Sequence, residues 1–170
     1  MKLECLKKDF EEAVDITSRV VSNSATLPVL KCVVFEAKGK NIIARSTNLE
    51  LSIEIKFSAD IKTEGSVAIP AQILHSTLKT SPQQSKISLE LIDGSIVLII
   101  GGAQTTIKTV PLDDFPTIPK PETKKKHIIP KESLINGVKS VLYSASTSLI
   151  KPELASVYIY HEDENLVFVA

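Results

Sequence analysis

Two hydrophobic periods alternate along the chain. Lys2 to Leu6 reads as a strand, and from Lys7 to Val21 apolar residues then recur at Phe10, Ala13, Val14, Thr17, Val20 and Val21. That spacing predicts a helix with one buried stripe. Asp9, Glu11 and Glu12 near its start and Arg19 near its end suit the helix dipole. Ser22-Asn23-Ser24 ends it, and Leu27-Pro28 opens a strand predicted over Val29 to Glu36. Lys38-Gly39-Lys40-Asn41 predicts a hairpin turn, with the return strand over Ile42 to Arg45. Leu49 to Ile55 alternates strictly, which predicts a strand with one wet face.

The pattern then restarts. Val67-Ala68-Ile69 reads as a strand, and Pro70 suits the first turn of a helix, where no amide donor is needed. Ile73, Leu74, Thr77 and Leu78 supply that helix's stripe. Strands follow over Lys86 to Leu91, Ile96 to Ile100 and Thr105 to Val110, with turns at Asp93-Gly94 and Gly101-Gly102. Pro111 to Glu122 carries Pro111, Pro116, Pro119 and Pro121 and reads as a linker. A third cycle begins at Lys126-His127-Ile128-Ile129-Pro130. It has a helix striped by Leu134, Val138, Val141 and Leu142, then strands over Ala155 to Tyr160 and Asn165 to Val169.

The cycles are internal repeats. Ile69-Pro70, Leu74 and Lys79 superpose on Ile129-Pro130, Leu134 and Lys139 at a shift of about 60 residues. A shift of about 124 superposes Phe10 on Leu134, Val14 on Val138, Pro28 on Pro152, Leu30 on Leu154 and Asn41 on Asn165, without gaps. The unit is strand, helix, then three strands, and two units make a domain. This organisation predicts an α+β fold, with a first domain over 1–120 and an incomplete second domain over 121–170. Because the third unit would lack its last strand, a fragment of a longer protein is expected.

Composition narrows the function. Hydrophobic residues are 43% and charged residues 24%, an ordinary globular balance, and 20 basic against 20 acidic residues leave no net charge. That excludes coating nucleic acid by bulk charge and leaves room for a locally basic face. No apolar run reaches a membrane span and the N-terminus is polar, so a cytoplasmic protein with no membrane partner is expected. Cys5 and Cys32 read as buried thiols, with a redox pair on adjacent strands the alternative.

Certain segments resemble the bacterial sliding clamp family, the beta subunit of DNA polymerase III. They are Thr26-Leu27-Pro28-Val29-Leu30, Thr47-Asn48-Leu49-Glu50, Val67-Ala68-Ile69-Pro70-Ala71 and Val110-Pro111-Leu112-Asp113-Asp114-Phe115-Pro116. Lys151-Pro152-Glu153-Leu154 stands where the family usually has Arg-Pro-x-Leu. The resemblance covers the whole chain and implies the DNA-clamp fold, with helices on one face of antiparallel sheets. It also implies a head-to-tail homodimeric ring around double-stranded DNA that slides without sequence specificity. Replicative DNA polymerase and clamp loader are the implied partners. A clamp is an accessory subunit with no catalytic site, so no cofactor and no metal are expected.

The polar faces of the helices offer Lys8, Arg19, Gln72, Lys79, Lys131 and Lys139 toward DNA. The resemblance implies DNA contact at Ser24, Gln72, Lys79 and Ser148, with Lys139 and Lys151 as further candidates. Ser24 departs from the family, where Arg or Lys is usual. Glu11, Glu12 and Asp15 make the first helix unusually acidic. By the same resemblance Ile73, Thr77, Thr106 and Ile107 would meet the partner subunit, along an exposed strand edge that carries an apolar residue, with Ile107 as a core residue the alternative. Lys151 and Leu154 would mark the margin of a cleft for partner peptides.

Enzyme readings are weaker. His75, His127 and His161 lie far apart. Gly101-Gly102-Ala103-Gln104-Thr105 lacks the Lys-Ser/Thr of a phosphate loop. Asp113-Asp114 has no acid/base companion, Ser144 to Ser148 reads as a helix exit, and Lys124-Lys125-Lys126 as a solvated linker run. The rival functions are a peptide-binding scaffold using an exposed strand edge without DNA, and a small α+β hydrolase.

Overall fold

The computed structural model describes residues 1–21, 27–81, 86–119, 128–148, 150–163 and 165–170. Ser24, Lys124-Lys125-Lys126 and His127 lie outside the described residues. The chain forms two compact units, Met1–Pro119 and Lys120–Ala170.

The first unit holds β1 (Lys2–Leu6), α1 (Lys7–Ser18), β2 (Cys32–Lys38), β3 (Asn41–Thr47), β4 (Ser52–Ser58) and β5 (Asp60–Thr63), then β6 (Gly65–Pro70), α2 (Ala71–Lys79), β7 (Lys86–Ile92), β8 (Ser95–Ile100) and β9 (Ala103–Lys108). The strands make two antiparallel sheets, ordered β5-β1-β7-β8-β9 and β4-β3-β2-β6. Each repeat lends its first strand to the other repeat: β1 lies beside β7, and β6 beside β2. The two repeats are thus mutually completed, and neither is a sheet domain alone.

Both helices and the inner faces of both sheets share one core. Phe10, Ala13 and Val14 of α1 and Ala71, Leu74 and Leu78 of α2 pack with Leu3, Phe35, Ile42, Ile69, Leu89 and Leu98. Phe10 stacks on Phe35 with ring centroids 4.9 Å apart. The other face of β2 carries Cys32 and Val34, as the pleat requires, and packs with Val29, Leu30 and Ala68. Val110, Leu112 and Phe115 close over this second cluster, and the Val110 amide donates to the Ala68 carbonyl at 3.0 Å. The segment expected to be a linker from Pro111 is therefore, at its start, part of the first unit.

Other boundaries shift for local reasons. Pro28–Lys31 forms a 3-10 turn, with Pro28 supplying a fixed φ at its first position, so the strand starts at Cys32 and not at Val29. Leu49 and Leu51 are exposed and precede β4. Asn48 Oδ1 accepts the amides of Glu50 (3.0 Å) and Leu51 (2.7 Å), and this side-chain turn displaces the start of the strand. Leu49 has φ of 79° within that turn. The sequence reading also missed β5, whose four residues are mostly polar and exposed. Cys5 and Cys32 belong to different sheets, so the adjacent-strand pairing is wrong.

The second unit has α3 (Lys131–Val141), two 3-10 turns (Leu142–Ser144 and Pro152–Ala155), β10 (Tyr158–Glu162) and β11 (Asn165–Val169). Here too a 3-10 turn replaces the expected start of a strand at Ala155. Adding 124 to the β2–β3 register, Val34↔Arg45 through Lys38↔Asn41, gives Tyr158↔Val169 through Glu162↔Asn165, the pairing found for β10–β11. The same shift carries Pro28–Lys31 onto Pro152–Ala155.

Candidate nucleic-acid interface

α1 and α2 pack against each other, and the sides flanking their buried stripes line a cleft. Each helix leaves a strand directly, with Leu6 and Pro70 in the capping positions, so orientation is set by the sheets. The far end of α1 is tied to β3. Thr17 Oγ1 donates to the Ala13 carbonyl (2.7 Å), and Ser46 Oγ of β3 donates to the Thr17 carbonyl (2.6 Å). The second bond serves a carbonyl of the helix's last turn, and the first lies within the helix. At the opposite end, the buried Lys7 donates from Nζ to the Ser81 carbonyl just past α2 (2.8 Å) and lies 3.4 Å from Glu11.

The cleft is lined by Asp15, Ser18, Arg19 and Val21 from the α1 side and by Ala71, Gln72, His75 and Lys79 from α2, and encloses about 480 Å³. His75 Nε2 and Asp15 Oδ1 are 2.8 Å apart across it. Arg19 and Lys79 are exposed, and Lys79 occupies the last turn of α2, where a cation suits the helix dipole. The site therefore presents two open cations, a carboxylate held by an imidazole, and an amide side chain. Such a surface can attract phosphates through screened contacts.

The structure brings Arg19, Gln72 and Lys79 together, as the helix faces imply. Lys139 is exposed in the last turn of α3. Ser148, Lys151 and Leu154 gather in one turn beyond it. The Ser148 amide donates to Ser146 Oγ (3.0 Å), the Ile150 amide to Ser148 Oγ (3.4 Å), and the Ser146 amide to the Leu154 carbonyl (2.7 Å). Leu154 is largely exposed. Sequence reasoning missed the Asp15–His75 pair and the Lys7 latch. Both join residues more than 55 positions apart, and no local pattern signals them.

The candidate subunit-contact residues divide. Ile73 is half exposed on α2, and Thr77, one turn on, donates from Oγ1 to the Ile73 carbonyl at 2.8 Å. Thr106 is exposed on β9, an edge of the five-stranded sheet. Ile107 is 2% exposed and belongs to the central core, so its side chain is not available for the expected subunit contact and the core alternative holds. Strand alternation explains it: Thr106 and Lys108 face out, so Ile107 faces in.

The thiols are unsuited to chemistry. Burial pushes Cys5 up to about 12, with Asp9 adding to the shift, and pushes Cys32 up to about 11.

A sequence model described as DNA polymerase III beta subunit, N-terminal domain, matches residues 1–119. The chain is 31% identical over 188 residues to a beta sliding clamp of Synechocystis sp. and 26% identical over 172 residues to that of Synechococcus elongatus. In both cases all of this chain and 46% of the relative are covered, so the chain spans about half the length of these curated relatives. Among solved structures, the Caulobacter crescentus pol III beta subunit superposes with a TM-score of 0.90 at 22% identity, over 97% of this chain and 45% of that one. The fold is that of the clamp, with antiparallel sheets and few helices.

Proposed function

We propose, on the premise that this chain belongs to the DNA polymerase III beta subunit family, that it forms part of a DNA polymerase processivity factor. In this reading residues 1–120 are the first clamp domain and 121–170 the beginning of the second. The complete protein is a ring-shaped, cytoplasmic homodimer that encircles duplex DNA and tethers the replicative polymerase after loading by a clamp loader. It carries out no bond chemistry of its own.

The observation that supports this reading is the cleft between α1 and α2, where Arg19, Gln72 and Lys79 converge. Phosphate attraction without base readout makes every register along the duplex nearly equal in energy, so sliding costs little. Lys139, Ser148 and Lys151 extend the same role to the second unit. Ile73, Thr77, Thr106 and the backbone edge of β9 serve subunit contact, and Leu154 with Lys151 serves the margin of a peptide cleft.

Topological retention tests the proposal. The full-length protein loaded on circular DNA is expected to remain through a high-salt wash and to leave once the circle is cut. Equal retention on circular and linear DNA, or binding of partner peptides with no retention at all, would favour the DNA-independent scaffold.

A further inference from the structure

An imidazole and a carboxylate join the two walls of the α1–α2 cleft. Asp15 Oδ1 and His75 Nε2 are 2.8 Å apart, and the His75 side chain is 33% exposed. An ionised carboxylate only accepts hydrogen bonds, so Nε2 carries the proton of the neutral imidazole and Nδ1 keeps its lone pair. A second proton therefore goes to Nδ1, which turns from acceptor to donor. Arg19 and Lys79 line the same cleft. With Asp15 they leave it one net positive charge when His75 is neutral and two when it is protonated. Imidazole is the side chain that changes charge closest to neutral pH. Lys7 and Glu11 of α1 pair near Ser81, at the end of α2 that carries Lys79. Of the strands packed on α2, β6 has no charged side chain, and Lys108 of β9 faces out, opposite to Ile107.

We propose that His75 is a further phosphate-contact residue of the cleft and that it acts in its protonated form, so that DNA binding by the first unit takes up a proton. The inference rests on the DNA role proposed for this cleft. A phosphate approaching the neutral pair meets the Nδ1 lone pair and the charge of Asp15, and both repel it. A phosphate approaching the protonated pair meets an N–H donor beside a carboxylate whose charge the imidazolium balances. Asp15 acts through its bond to Nε2, which spans the two helices and leaves Nδ1 as the nitrogen that gains the proton. One more neutralised phosphate is worth roughly tenfold in affinity at about 50 mM salt. The coupling is reciprocal: protons favour DNA, and DNA favours the proton.

Fluorescence anisotropy of a labelled short duplex tests this, titrated with the 170-residue chain at about 50 mM salt from about pH 8 to about pH 5.5, above the range in which ordinary carboxylates protonate. Affinity should rise roughly tenfold toward the acid end, and the slope of log K against log salt should steepen by roughly one. His75→Gln keeps a donor for Asp15 and has no proton to gain, so it should lose most of that dependence. His127 and His161 change charge over the same range, and His75→Gln leaves their contribution in place. Calorimetry in two buffers of different ionisation heat should show proton uptake on binding by the native chain and its loss in His75→Gln. A flat native affinity, or a pH dependence and proton uptake that persist in His75→Gln, overturns the inference. If Lys79→Ala still weakens binding in that case, the DNA role of the cleft stands without it. If Lys79→Ala changes nothing at any pH, the cleft reading itself fails and this inference falls with it.

Discussion

Asp15 Oδ1 lies 2.8 Å from His75 Nε2, joining helices from two different repeats across the cleft that also holds Arg19 and Lys79. Under the proposed function this carboxylate opposes the approach of phosphates, and the imidazole occupies one of its oxygens. Asp15→Asn keeps the size and a hydrogen-bonding group and removes the charge. It should tighten binding of a short duplex at low salt and steepen the dependence of log K on log salt. Lys79→Ala should do the reverse, lowering that slope by roughly one and weakening binding equally for unrelated sequences. Filter binding across a salt series checks both.

Lys7 is a second tie between the repeats. Its side chain is 1% exposed, with Nζ on the Ser81 carbonyl and near Glu11. Lys7→Ala removes a charged hydrogen bond, leaves a carbonyl short of a donor and opens a void. A loss of about 2–4 kcal/mol is expected in urea unfolding of the first unit. Lys7→Met, which refills the volume, should recover part of that loss.

In α3, Gly137 sits against the ring of Phe168, and a Cβ at 137 would enter that ring. The corresponding pair in the first unit is Ala13 and Ala44, both buried. The second unit thus trades a small residue on the strand for an aromatic one and removes the facing methyl. Helix propensity alone favours Gly137→Ala by about 1 kcal/mol. The clash should reverse that sign, for a net destabilisation of about 1–3 kcal/mol. All three tyrosines, Tyr143, Tyr158 and Tyr160, lie in this unit and the chain has no tryptophan. Tyrosine fluorescence therefore follows its unfolding separately.

Buried thiols make stability fall in alkali. Cys5 and Cys32 hold their protons to about 12 and about 11 in the folded chain, against an ordinary value of 9.0. The unfolded chain releases those protons first. Stability is therefore fully present below pH 9, declines between 9 and 11 through both groups, and declines further to about 12 through Cys5 alone. Cys5→Ala should flatten the upper part of that curve. Alkylation of the native chain at neutral pH should proceed only through unfolding.

The elements legible from sequence were those whose own periodicity decides them. Phe10, Ala13, Val14 and Thr17 marked α1, and the gap-free 124-residue shift anticipated the β10–β11 register. Where local chemistry competes with periodicity, the reading failed. Pro28 and Pro152 each set a 3-10 turn ahead of a strand, and Asn48 captured two amides at the expected start of β4. Ile107 was misjudged because an edge strand has one free backbone edge yet still alternates its side chains between core and solvent. Arg19, Gln72 and Lys79 could be placed on polar faces, but their convergence depends on how α1 and α2 pack, which sequence spacing does not encode.

The central claim is that the α1–α2 cleft meets duplex DNA through its backbone. Backbone amide and side-chain NMR of the 170-residue chain, titrated at low salt with two duplexes of unrelated sequence, tests it most directly. The account predicts the same shift changes for both duplexes, centred on Arg19, Gln72, His75 and Lys79, with equal affinities that vanish as salt rises. Changes centred on the outer sheet faces, or affinities that differ between the two sequences, would contradict it.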